Sequence, residues 1–97
     1  MKIKIWEMRT KKGFTLRTVC GENVLMAEGL ETIDFGKLIR LNGTSAFMWQ
    51  EAVRQGEFTP ESLAEAICRE YAVDAEKALS DTKAMLERWT KEGLLEA

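Results

Sequence analysis

The sequence predicts an α+β, winged-helix-like domain: a three-stranded antiparallel sheet followed by three helices. Three observations carry that expectation. Apolar and polar residues alternate over 14–20, the period of a half-buried strand, and a second short apolar run follows at 24–27. At Asn42 the period changes: 37–41 reads as a strand, whereas Ala46, Trp49 and Val53 recur at helical spacing. Two more helix starts follow, Thr59 with Pro60 and then Asp74, residue types suited to a first turn.

Each element follows in order. Lys2, Ile3, Lys4 and Ile5 alternate as a strand or extended arm with one apolar face, and Trp6 breaks the alternation as a ring capping a sheet end would. Residues 8–13 carry Arg9, Lys11, Lys12 and Gly13 with no period, so they read as a loop closing an N-terminal arm over 1–13. Phe14, Leu16, Thr18 and Cys20 form the buried side of the first strand. Gly21, Glu22 and Asn23 then supply a turn, and 24–27 completes a hairpin. A polar, glycine-bounded loop over 28–36 leads to the third strand, 37–41, and a meander is the simplest arrangement.

Asn42 caps the first helix, 43–55, which Gly56 terminates. Thr59 and Pro60 start the second, where Leu63, Ala64, Ile67, Cys68 and Tyr71 share a face; Ser62 with Glu65 adds little to that start. Asp74 caps the third helix, with the stripe Ala75, Ala78, Leu79, Thr82, Met85, Leu86 and Trp89. Gly93 ends it, and Leu94 with Leu95 folds back on the core. That stripe is broader than two neighbouring helices cover, so part of it is expected to line an exposed groove. Phe47 and Trp49 are expected in the core.

Composition bounds the function. At 97 residues the chain is one domain, 1–97, with room for a single modest core but not for a deep cavity plus a cofactor site; no cofactor is expected. Sixteen acidic against fourteen basic side chains leave a net charge of −2, so no global field draws it to nucleic acid or anionic lipid. Histidine is absent, which removes the usual general base and the commonest metal ligand. Cys20, expected on a strand, and Cys68, on a helix, have no ligand-spaced neighbour and read as free buried thiols of a reducing cytosol. No signal sequence appears, and no apolar run approaches the roughly twenty residues of a membrane span, so a cytoplasmic location is expected.

No catalytic site emerges. Glu61 with Glu65 and Glu87 with Lys91 have the spacing of any solvated helix face, and Ser45 and Ser80 have no histidine to activate them. One glycine, Gly43, before a helix is not a phosphate cradle.

Four stretches together carry a resemblance. They are Leu41 to Trp49 at the strand-to-helix junction; Thr59, Pro60, Glu61, Ser62, Leu63; Tyr71, Ala72, Val73, Asp74; and Asp81, Thr82, Lys83, Ala84, Met85, Leu86 running through Trp89 to Gly93, Leu94, Leu95. In this order, over roughly 14–95, the chain resembles the PqqD-like family, small domains that recognise leader segments of ribosomally made, post-translationally modified peptides. It departs from the family at Thr82, usually aliphatic, at Glu51, usually apolar, and in a slightly longer turn over 54–58.

The resemblance implies a non-catalytic module. In that family a leader peptide adds as a strand beside the third strand and packs on the third helix. By position this implies Leu38, Ile39 and Arg40 with Thr82, Met85, Leu86 and Trp89 as peptide-binding residues, and as partner a radical S-adenosylmethionine (SAM) enzyme or a leader peptidase. From the residues alone, 37–41 is either an open edge able to accept a strand or one protected by Lys37 and Arg40. Whether two copies pair by strand exchange into a homodimer is left open. The rival reading is a winged-helix DNA-binding regulator, which requires a basic third helix; Asp81 and Glu87 beside Lys83 and Arg88 leave no one-signed face.

Overall fold

The computed structural model describes residues 8–27 and 38–96. Its elements run β1 (Arg9–Thr10), β2 (Phe14–Val19), β3 (Glu22–Ala27), β4 (Leu38–Leu41), α1 (Gly43–Gln55), α2 (Pro60–Tyr71), α3 (Ala75–Lys91) and β5 (Leu95–Glu96). Strands β2, β3 and β4 form the expected three-stranded antiparallel meander in that order, and three helices follow. The expected arm over 2–6, its Trp6, the loop 28–36 and Lys37 lie outside the described residues.

The hairpin is tighter than its sequence suggests. Val19 pairs with Glu22, so the turn is only Cys20 and Gly21, and both have positive φ, 51° and 79°, as a twist-matched two-residue turn requires. Cys20 is therefore an exposed turn residue, not a buried strand thiol. A side chain at positive φ is disfavoured, asparagine least among non-glycine residues. Cys20→Asn is expected to stabilise the fold by up to about 1 kcal/mol, read as an upward shift of the denaturation midpoint.

The first segment is also more ordered than a loop. Met8 and Phe58 exchange two backbone hydrogen bonds of 2.9 Å, and β1 pairs with β5, Thr10 opposite Leu95. The turn after α1 makes this possible, because it buries Phe58 and presents its backbone to Met8. Periodicity does not identify Phe58, which stands in neither a strand nor a helix pattern.

Caps set the helix boundaries. Asn42 accepts from the Ser45 N–H at 2.8 Å, and Asp74 from Lys77 at 3.1 Å. Ser62 contributes more than the sequence suggests. Thr59 Oγ1 accepts from the Ser62 N–H while Ser62 Oγ accepts from the Thr59 N–H, both at 3.0 Å, a reciprocal capping box. The Ser62 hydroxyl also donates to Gln55 Oε1 at 2.6 Å, latching the end of α1 to the start of α2. Glu51 joins this corner through Arg54 and Gln55, and the Arg54 hydrogen bond, then that of Gln55, holds its carboxyl below the ordinary carboxylate range. Two donors thus explain how a carboxylate occupies a position expected to be apolar.

After α3 the chain closes in a Schellman motif: Leu94 donates to the Trp89 carbonyl and Gly93, at φ 76°, to that of Thr90. This turns Leu94 into the core, as expected, where it joins Leu25, Met48, Trp49, Leu63, Leu86 and Trp89. The core face of α1 is Ser45, Ala46, Met48, Trp49 and Ala52, whereas Val53, one turn beyond Trp49 on the same side of the helix, is exposed and borders an open hollow with Phe14 and Leu16. Tyr71 is likewise partly exposed at the last turn of α2, its ring meeting Phe47 edge-on at 5.6 Å.

Candidate functional site

Among the described residues β4, like β2, has a neighbour on one side only and stands at an edge of the sheet. The register shows which of its backbone groups are unused. In a two-residue hairpin the flanking pair, Val19 and Glu22, is hydrogen-bonded, and such pairs alternate along the ladder. Glu22, Val24 and Met26 therefore direct their N–H and C=O groups to β2, and Asn23 and Leu25 direct theirs to β4. Their partners are Leu41 and Ile39. Leu38 and Arg40 consequently point their backbone donors and acceptors outward, away from the sheet.

Side chains alternate in the perpendicular direction. Ile39 and Leu41 face the core with Leu25, whereas Leu38, 58% exposed, and Arg40 lie on the opposite face. Arg40 meets Glu22 at 3.4 Å on that face, both side chains largely in solvent, so the pair contributes little to stability.

Where β4 passes into α1, the first turn of that helix approaches α3. Asn42, Thr44, Ser45 and Met48 on one side and Asp81, Ala84, Met85 and Arg88 on the other line an open groove of about 390 Å³. Ser45 Oγ lies 3.6 Å from Met85 Sδ and ties the two walls. The floor is thioether and methyl. The rim carries both signs, with Arg88 in the last turn and Asp81 held by Lys77 at 3.3 Å. Asp81, Ala84, Met85 and Arg88 share a flank because they are three, four and seven residues apart; the sequence held that signal, but the apolar stripe beside it is the stronger pattern.

The broad stripe of α3 divides. Ala78, Thr82, Leu86 and Trp89 are buried along its centre, Leu79 and Met85 are half-buried on its two flanks, and Ala75 is exposed in the first turn. Of the residues implied by resemblance, Leu38, Ile39 and Arg40 form the edge and Met85 lines the groove beside it. Thr82 lines a smaller adjoining pocket, and Leu86 borders a different hollow with Met8 and Pro60. Trp89, at 1% exposure, is packed edge-on against Trp49 at 5.3 Å and is a core residue. A ring so enclosed has no face left for a partner while the fold is intact.

Among the described residues no three of His, Cys, Asp and Glu are grouped to hold a metal ion, and no helix is long and apolar enough to cross a membrane.

An antiparallel three-stranded meander followed by three helices, with a groove between α1 and α3 next to the end of β4, defines a class of small α+β domain. The chain belongs to the PqqD family, matching the model described as "Coenzyme PQQ synthesis protein D (PqqD)" over residues 22–95. Two solved structures share the fold. One is "Lasso peptide synthetase B1 complexed with the leader peptide", with TM-score 0.71 and 20% identity over 93% of this chain and 98% of that one. The other is "TbiB1 in Complex with the TbiA(beta) Leader Peptide", with TM-score 0.72 and 22% identity over 92% and 95%. No curated protein sequence matches the chain.

Proposed function

We propose that the protein is a non-catalytic peptide-binding module that captures the leader segment of a ribosomally made precursor and presents it to a modifying enzyme. The observation that carries this is the open β4 edge, with the backbone groups of Leu38 and Arg40 directed outward next to the α1–α3 groove. An added strand would bond to Leu38 and Arg40. Its alternate side chains would lie toward Met85 and Met48 on one side and toward Leu38 and Arg40 on the other. Ile39, Leu86 and Trp89 support the site from the core, and Thr82 lies beneath the adjoining pocket. Family membership supports the reading, as do leader peptides in both structural neighbours.

Tethering explains how such a protein promotes turnover without chemistry. Holding the leader on a module docked to the enzyme raises the effective concentration of the modifiable segment, to the millimolar range for a short flexible connection. A radical SAM enzyme or a leader peptidase fits the enzyme's place.

The test is calorimetry with each short precursor encoded beside this gene. Saturable binding at micromolar affinity or better is expected, with no change in the peptide when the protein is the sole addition. Uniformly flat titrations would remove the proposal. Because α3 mixes Asp81 and Glu87 with Lys83 and Arg88, duplex DNA at moderate salt should bind no tighter than the non-specific range, about 10⁻⁴ to 10⁻⁶ M.

A further inference from the structure

Arg88 is a charge that the fold leaves unanswered. Arg40, Arg54, Arg69 and Lys77 each stand beside a carboxylate, that of Glu22, Glu51, Glu65 and Asp81 in turn. Arg88 has no such partner among the described residues, yet it is exposed and lines the groove between α1 and α3. Asp81, the carboxylate of that groove, is already met by Lys77 at 3.3 Å. The charge the groove offers a ligand is therefore that of Arg88, positive in a chain whose net charge is −2.

An apolar seat adjoins this charge. Ala84, exposed, and Met85, half-buried, line the same groove one turn before Arg88, about 4.5 to 6 Å back along the helix axis. In an extended chain the side chains of one face recur at every second residue, about 6.8 Å apart. The flexible stem of Arg88 covers the difference. A strand lying in the groove that sets one side chain over Met85 thus brings the next on that face to the guanidinium.

We infer that the groove selects peptides carrying a carboxylate two residues from an apolar side chain, the apolar group seated on Ala84 and Met85 and the carboxylate paired with Arg88. This rests on the peptide-binding reading of the groove and names the chemistry of its ligand. The apolar side chain exchanges water for methyl and thioether, and the planar guanidinium matches a carboxylate through two parallel hydrogen bonds. Since Arg88 is exposed, the pair is screened by salt and confers modest selectivity. Arg88 also suits the carbonyl end of α3, but that role is indifferent to the charge of a peptide.

Acetylated, amidated pentapeptides test this without any natural leader: Thr-Leu-Thr-Glu-Thr, the reverse order Thr-Glu-Thr-Leu-Thr, and versions of each with glutamine or lysine in place of the acid. The two orders serve the two directions in which a strand can lie. NMR titrations of the full chain follow the Met85 methyl and the Arg88 Nε–H. In at least one order the glutamate peptide is expected to shift both signals and to bind about threefold more tightly than its glutamine version and about tenfold more tightly than its lysine version. The net charge of the chain favours lysine, so a glutamate preference reports the local site. Raised salt should shrink the preference, Arg88→Gln should remove it, and Arg88→Glu should turn it toward lysine. Equal binding of the three versions, a glutamate preference that survives in Arg88→Gln, or titrations that leave Met85 and Arg88 unmoved would each overturn the inference. Flat calorimetry with the neighbouring precursors would instead count against the proposed function, so the two failures are separable.

Discussion

Trp89→Ala is expected to cost about 3 to 5 kcal/mol of folding stability, the range for removing a large aromatic from a core. Domains of this size are held by only about 5 to 15 kcal/mol, so the variant should be close to unfolding, with a melting temperature lower by roughly 15 °C or more. The reason lies in its surroundings. Trp89 fills the seam between α3 and α1 against Trp49, and its carbonyl takes the Leu94 N–H that closes the helix. Trp89→Phe should cost less, because a ring remains and the indole N–H, unpartnered among the described residues, is removed. Denaturant titration checks both. A Trp89→Ala protein within 1 kcal/mol of the unaltered one would show that the ring is not core.

The second large effect separates two neighbouring positions on β4. Ile39 donates its N–H to Leu25 within the sheet, so Ile39→Pro removes a ladder bond and is expected to destabilise the fold by several kcal/mol. Leu38 directs its N–H outward. Leu38→Pro should therefore leave folding largely intact while weakening leader binding at least tenfold, about 1.4 kcal/mol. Arg40→Pro should behave like Leu38→Pro, with Arg40→Ala controlling for the lost Glu22 pair. On the helix side, Met85→Ala should weaken leader binding by about 1 kcal/mol or more with little change in melting. Thermal denaturation with calorimetry on each variant gives both readings. Equal loss of stability in Leu38→Pro and Ile39→Pro would contradict the derived register, and full leader binding by Leu38→Pro, Arg40→Pro and Met85→Ala would eliminate this groove.

Much of the architecture was legible in the chain because its signals are local. Alternation over 14–20, the change of period at Asn42, the Thr59–Pro60 start, the Asp74 cap and the Gly93 stop each depend on interactions within a turn or a strand, and each stands in the structure, except that the strand ends at Val19 and Cys20 joins the turn. Family membership was legible for the same reason, as ordered stretches at these boundaries.

What the chain could not determine alone were quantities set by distant partners. Periodicity identifies a stripe on α3 but not its neighbours, so it could not separate buried Trp89 and Leu86 from half-buried Met85; that division follows from where α1 and α2 pack. Phe58 and Met8 find their roles only because a turn and an N-terminal segment about fifty residues apart meet. Strand alternation likewise determines which residues of β4 share a face, but which of them leave their N–H free depends on the pairing of β3 with both of its neighbours. The two-residue turn at Cys20 and Gly21 sets that phase, and the sheet transmits it to Leu38 and Arg40.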